Sequence, residues 1–472
     1  MHTVVLGNGI LAATIAFRLA RRLAAKDRIT IVGKRARPGS ATLAAAAMLN
    51  SFAEVEAGSL DAELDRYRFD LSRIAARMWP EFEQEMVAAG ASVPTGAGLA
   101  CGTYVINNAA ADDLDDENFD AIVAALTKFG EPFEHVAPRE IPNYMPEQRH
   151  RATRALCIPR EGWMNPRLVM ERLDAVLGRQ AQVSFVDDSA VLLVKQGGRI
   201  SAAKTEGGEA IAGDHFVLAT GATASDLLRQ SKLGIDVQRV FYGVGVSVEI
   251  KSPDFPHTKC IRTPNRGLAC GLYSVPYFTA ADAPADHIVV GASNFISPTP
   301  YPYGRLTSVE ALMRGAIEQL NANFYRADLV RVNVGWRPTS LDTYPLLGKT
   351  SIGNLVIATG TKRDGFHLAP LISRRIVGML FDEAADKDFA RFAPERAPIR
   401  TLSRAEAIDK AVRHLMSASY QHGFTPSKSR MPEQIAKMHR EDLERLHDKV
   451  GAHEWGIPPE MLDMYRYGHA VT

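Results

Sequence analysis

Cysteine is scarce in this chain of 472 residues: Cys101, Cys157, Cys260 and Cys270 are the only four, and no two stand in a CxxC pair. That spacing offers no zinc site, no thioredoxin-like couple and no disulfide framework, and it suits buried thiols in a reducing cytoplasm. An excess of one charge is missing too. Lys and Arg total 55 against 54 for Asp and Glu, so the overall balance does not point to nucleic acid or to an anionic membrane. Apolar runs are short: residues 41–49 and 355–358 fall well below the ~20 residues that a membrane helix needs. No secretory leader opens at Met1-His2-Thr3, so a cytoplasmic protein without a membrane span is expected.

What the chain does have is length enough for a sizeable core in two or three domains. The β-branched run Thr3-Val4-Val5-Leu6 leads into Gly7-Asn8-Gly9, and Leu11, Ile15, Leu19 and Leu23 then recur at helical spacing. A second strand, Ile29-Thr30-Ile31-Val32, follows within the ~30 residues of a dinucleotide-binding βαβ unit. Gly7, Gly9 and Ala12 form a GxGxxA turn. The first glycine permits the tight turn and the second lets the backbone approach a pyrophosphate at the helix N-terminus. The acidic residue that commonly ends the second strand and holds ribose hydroxyls is absent, and Gly33, Lys34 and Arg35 stand there. Basic residues at that place suit a 2′-phosphate, which keeps NADP open as the dinucleotide, or they form a solvated turn.

Residues 60–86 carry apolar side chains at helical spacing, with Pro80 marking a kink or break. The acidic run 112–117 reads as the first turn of a helix ending at Gly130. Asn165-Pro166 opens a further helix, and strands at 183–186, 191–194 and 215–219 lead to Gly221. Residues 236–334 are rich in β-branched and aromatic residues, with turns at Pro264-Asn265-Arg266-Gly267 and Ala283-Pro284 and one helix near 308–324. A strand at 355–358, a glycine-bearing loop and a helix at 366–381 follow. Two charged amphipathic helices, 403–416 and 433–450, flank a polar link. The expected architecture is α/β. A Rossmann-like nucleotide-binding domain is made of 1–90, 151–235 and 335–395, and a mostly antiparallel β substrate domain of 91–150 and 236–334. Residues 396–472 form a helical C-terminal extension, read as an appendage able to mediate a homo-oligomer contact, act as a lid or recognise a larger substrate.

Several segments together resemble the D-amino-acid-oxidase-like family of FAD-dependent oxidoreductases, most nearly its glycine-oxidase branch, over residues 3–390. The small-residue stretch from Gly39-Ser40 through Ala46 to Met48-Leu49 is similar to the family's segment running past the flavin, with alanines where a glycine is usual. Gly162 to Leu168, and Phe216 to Ala222 with Thr220 and Gly221, resemble two further segments of its cofactor domain. The most specific match is Gly335-Trp336-Arg337-Pro338-Thr339 with Asp342, Pro345 and Gly348, then Asn354-Leu355 and Thr359-Gly360-Thr361-Lys362-Arg363-Asp364-Gly365 before Phe366. Thr361-Lys362 replaces the family's usual Gly-His.

The resemblance implies noncovalent FAD, held by Gly7, Gly9, Ala12, Lys34, Ser40, Ala46, Met48, Thr220, Gly221, Gly335, Gly360, Asp364, Gly365 and Phe366. It implies oxidation of the C–N bond of a small amine or amino acid by hydride transfer to flavin N5, giving an imine that hydrolyses, with molecular oxygen or another acceptor reoxidising the flavin. Arg337 and Arg363 would grip the substrate carboxylate, and Lys362, beside a helix N-terminus near Gly365, would offset charge on the reduced flavin. Tyr273, Tyr277, Phe295, Tyr301 and Tyr303 would shape an amine pocket or pack a β core. His367, as a lone histidine, reads as structural. An amine dehydrogenase passing electrons to a quinone or protein acceptor, and a non-catalytic flavin-binding subunit, remain as alternatives.

Overall fold

The computed structural model describes residues 1–91, 98–267, 271–277, 286–383, 386–421, 424 and 429–470. Cys270, the turn read at Ala283-Pro284 and most of the link between the two C-terminal helices lie outside the described residues.

The strand His2–Leu6 sits inside a six-stranded sheet, between Arg28–Val32 and His215–Leu218. Val183–Val186 extends the sheet on one side; Leu355–Thr359 and then Leu346–Lys349 extend it on the other, only the last being antiparallel. Alternation along each strand divides its side chains between two cores. Val5, Ile29, Ile31 and Val217 pack with the helices Ile10–Ala20, Pro166–Gly178 and Ala369–Leu380. Val4, Leu6, Phe216 and Leu218 face a three-stranded antiparallel sheet (190–212) and the helix Ala224–Ser231. Burial on both faces explains why these strands read as continuous apolar runs.

The helix Glu63–Ala88 packs on Ala369–Leu380 and continues through Pro80. A proline removes one intrahelical hydrogen bond, and the buried Met78, Trp79 and Phe82 around it hold the helix together where the sequence signalled a kink or break.

A second, nine-stranded sheet is mostly antiparallel and runs in the order Asp328–Ser340, Val240–Lys251, His287–Ser297, Tyr273–Pro276, Cys260–Arg262, Ala100–Asn107, Arg154–Trp163, Met48–Leu49, with Glu134–His135 also on Arg154–Trp163. Met48–Leu49 and two longer segments expected in the nucleotide-binding part pair here instead. Arg154–Trp163 lies along Ala100–Asn107, and residues 335–340 are the end of one unbroken strand against Val240–Lys251. The helix Leu306–Gly315 and the turns after it cover one face of this sheet through Leu312, Ala316 and Leu320.

Residues 404–470 are not a loose appendage. The helices Arg404–Gln421 and Met431–Lys449 bury Ile408, Ala411, Leu443 and Leu446 against Phe241 and Leu341 of the main body, and Ile457, Met461 and Tyr465 join that core. Among the described residues no helix is long and apolar enough to cross a membrane. Cys157 and Cys260 are buried free thiols, whereas Cys101 is exposed, contrary to the expectation that all four cysteines are buried.

Candidate functional site

A cavity of about 720 Å³ runs from the Gly7 turn, past residues 40–48, to a charged end beneath the C-terminal helices. At its first end Gly7 has φ of +115°, and a Cβ there would lie 2.3 Å from the Ala219 carbonyl oxygen, so this turn accepts no other residue. Gly9 precedes the helix Ile10–Ala20 with no side-chain cap and no acid in the first turn. Ile10 N–H donates to Thr42 Oγ1 at 3.2 Å, and the helix turns its positive end toward the cavity, as an anion requires. Ala12 is fully buried beneath the turn.

The missing ribose acid has a local explanation. A Cβ at Gly33 would come within 2.7 Å of Asn8 Cβ, so Asn8 occupies the space. Arg37 donates to the Asn8 carbonyl oxygen at 2.7 Å and side-chain oxygen at 3.0 Å, and pairs with Asp174 at 2.6 Å. Lys34 borders the cavity, yet its ammonium pairs with Glu206 at 2.8 Å, and Arg35 stacks over Phe185. The two cations that kept NADP open are thus engaged elsewhere.

Further along, Ser40 caps the short helix Ala41–Ala44 by accepting from Leu43 N–H at 3.3 Å. The small residues have a packing reason: a Cβ at Gly335 would lie 2.8 Å from Ala44 Cβ and 2.9 Å from Ala41 Cα. Ala46 packs with Trp163, Cys260 and Tyr273, and the Cys260 thiol lies 3.6 Å from Met48 Sδ. Gly221 (φ +63°) accepts from Thr359 Oγ1 at 2.8 Å, and Gly360 (φ +71°) turns the chain beside Leu346. Among the described residues Thr220 Oγ1, Asn50 Nδ2 and His367 Nδ1 are buried without a hydrogen-bond partner, and all three residues line the cavity. Buried polar atoms are seldom left unmet. The glycine cradle, the open helix end and these three atoms fit a large polar dinucleotide.

The Arg337 guanidinium lies over Gly245, where a Cβ would clash with it at 2.6 Å. It donates to the Ser293 carbonyl oxygen (3.4 Å) and Asn294 Oδ1 (3.1 Å), and among the described residues no carboxylate lies within ion-pair distance. Arg363 differs: it pairs with Glu54 at 3.2 Å and approaches Glu56 at 4.0 Å. Lys362 pairs with Glu460 at 2.5 Å, and Asp364 with Arg68 at 3.3 Å. So the second arginine and the lysine, whose resemblance implies substrate and flavin contacts, meet protein carboxylates. Burial alone would raise the Glu54 carboxyl, but Arg262 and Arg363 outweigh it and hold its pKa down at about 2. Burial opposes the charge of Glu56 as well, and Lys410 with its neighbours holds this carboxyl well below its ordinary range.

The helix after this loop begins at Ala369, not near Gly365. Residues 364–368 form tight turns, with Leu368 N–H donating to the Asp364 carbonyl oxygen at 2.8 Å, and Pro370 suits a first helical turn. A Cβ at Gly365 would meet Thr361 Oγ1 at 2.7 Å, and Phe366 stacks on Trp79. His367 Nε2 bonds to the Ser72 carbonyl oxygen at 2.8 Å, tying the loop to the long helix. Of the five aromatics only Tyr273 borders the cavity; Tyr277 is buried, Phe295 and Tyr301 pack edge to face, and Tyr303 is exposed.

The model of the FAD dependent oxidoreductase family, DAO, matches residues 2–379. The chain belongs to this family. The family's cofactor is FAD, bound noncovalently, and the glycine cradle described above fits it. The chain is 29% identical over 208 residues to the bifunctional protein ThiO/ThiG of Nostoc sp., a match covering 43% of this chain and 28% of that protein, so it spans well under half of that relative. Its fold is similar to iminodiacetate oxidase from Chelativorans sp. BNC1 (TM-score 0.69, 21% identity, 84% of this chain and all of that one). It is also similar to glycine oxidase from Geobacillus kaustophilus (TM-score 0.68, 21% identity, 84% and 98%). At such identities the likeness is one of fold.

Sequence reasoning passed over Asn8 and Arg37 in the nucleotide turn, and Glu54, Glu56, Lys410, His414 and Glu460 at the charged end, all of which line the cavity. Asn8 lies inside the GxGxxA turn and was within reach. The others meet only through the fold.

Proposed function

We propose that this oxidoreductase oxidises the C–N bond of a small amine or amino acid, giving an imine that hydrolyses, with oxygen as the terminal acceptor. The observation that carries this reading is Arg337: a half-buried guanidinium without a carboxylate partner among the described residues, lining the same cavity as the dinucleotide turn. A cation so placed is costly unless a ligand anion meets it. Bound FAD supplies the acceptor for a hydride leaving the α-carbon.

The chain's own part is placement. Arg337 would take the substrate carboxylate in a charge-assisted pair and so limit which α-hydrogen faces the cofactor. Asn294, hydrogen-bonded to Arg337, and the space left by Gly245 hold the guanidinium against the sheet. No side chain is assigned as a base. Arg363 and Lys362, already paired with Glu54 and Glu460, would set the polarity of the pocket rather than bind the carboxylate.

Product analysis tests this reading. Purified holoenzyme incubated with amino acids in air is expected to release ammonia, a carbonyl product and hydrogen peroxide in equal amounts. Ammonia without peroxide would move the acceptor to a quinone or protein, and no product from any amine would overturn the proposal.

A further inference from the structure

The charged end of the cavity is built jointly by the family fold and by residues beyond the family match, which ends at residue 379. Lys410, His414 and Glu460 from the C-terminal segment line it together with Glu56 and Lys362. Three ion pairs form this wall: Lys362 with Glu460 at 2.5 Å, Arg363 with Glu54 at 3.2 Å, and Lys410 with Glu56 at 3.4 Å. Each of these cations already meets a carboxylate, with Arg262 sharing Glu54, so an incoming ammonium finds every carboxylate taken and an incoming carboxylate finds every cation taken.

Hydrogen-bonding capacity does remain. Glu460 uses Oε1 for Lys362, while its buried Oε2 has no partner among the described residues. His414, 8% exposed, has an Nδ1 that is likewise unpartnered among them. Burial pushes the pKa of this imidazole down to about 4, so near neutral pH it is uncharged, able to donate or accept. A carboxylate oxygen and an uncharged imidazole lining the same cavity ask for an O–H or N–H that brings no charge of its own.

We infer that residues 396–470 form a substrate-selecting wall, in which Glu460 and His414 recognise an amine or amino acid whose side chain ends in an uncharged hydrogen-bond donor, a hydroxyl or primary amide. The inference rests on amine oxidation at this site and names the substrate class. The C-terminal segment is thereby part of the active cavity, which its shared core with Phe241 and Leu341 holds in place.

The test uses the full-length holoenzyme, its Glu460→Met and His414→Phe variants, and matched ligands. Serine and homoserine are compared with α-aminobutyrate and norvaline, which replace the hydroxyl by a methyl group, and with diaminobutyrate and aspartate as charged counterparts. The expected result is a kcat/KM about tenfold or more in favour of a hydroxyl-ended substrate over its methyl-ended partner, with the charged pair poorer. Glu460→Met, which removes the free acceptor without supplying a donor, should bring that ratio close to one while flavin content stays unchanged. A binding readout independent of turnover is the perturbation of the flavin spectrum by γ-hydroxybutyrate and by valerate, with the first expected to bind more tightly in the unaltered enzyme only. Equal preference for both ligands, or a preference that survives both substitutions, would overturn the inference and leave amine oxidation standing. A flavin reduced by no amine would overturn the reading beneath it, while the two analogues would still report on Glu460.

Discussion

Lys362 and Glu460 meet at 2.5 Å although 98 residues separate them in the chain. The lysine stands in the loop before the last helix of the nucleotide-binding part, and the glutamate in the turn that closes the C-terminal segment. This contact sets Glu460 of the C-terminal segment at the charged end of the cavity.

A second tie can be measured through stability. Asp342 is buried at 2% exposure and receives Arg396, Ile399 N–H at 2.8 Å, Tyr344 N–H at 3.0 Å and Gln238 at 3.1 Å. Asp342→Ala leaves a largely buried guanidinium unpaired, so urea unfolding should show a loss of about 3 kcal/mol. An unchanged midpoint would mean that the chain after residue 395 is not anchored there.

The Gly7 turn should admit no side chain. In Gly7→Ala the Cβ would press on the Ala219 carbonyl at 2.3 Å from a φ of +115°, with a strain of about 2 kcal/mol or more. The purified variant is expected to be largely colourless, with the ratio of flavin to protein absorbance well below that of the unaltered enzyme. Full flavin content would contradict this placement of the cofactor.

Arg337→Ala should lower kcat/KM for carboxylate-bearing substrates by about a hundredfold while flavin content holds, with Arg337→Lys between the two. Steady-state kinetics on an amino acid and on the corresponding decarboxylated amine separates the roles. An equal fall for both substrates would make Arg337 structural.

His257 is fully buried between Ser274 Oγ at 2.6 Å and the Asn143 carbonyl oxygen at 3.0 Å, and burial lowers its pKa from 6.5 to about 4. The unfolded chain binds this proton first as pH falls, so stability is full above pH 6.5 and is lost between there and pH 4. The loss from this one group approaches ~3 kcal/mol. His257→Gln should therefore flatten the acid side of a plot of melting temperature against pH; an identical slope in variant and parent would sink the assignment.

The turn at Gly7, the alternating strands and the helix faces were legible because each is a local pattern whose period matches its backbone. Arg337 was legible through a contiguous motif. What Arg363 does was not, since Glu54 reaches it only after the chain crosses both sheets. The partner of Lys34 was out of reach for a related reason: Glu206 lies on a hairpin far along the sequence. The helix runs on through Pro80 rather than breaking because buried neighbours on both sides outweigh one missing hydrogen bond. The C-terminal helices were visible as amphipathic stretches, but where their apolar faces pack depends on Phe241 and Leu341.

The most direct test of the central claim is an anaerobic titration of the purified protein, following the visible flavin bands as amino acids and simple amines are added in turn. Bleaching by one class of amine, reversed on admitting air, is the expected result. A flavin spectrum that no amine alters, or a protein that neither carries nor takes up FAD, would contradict the account.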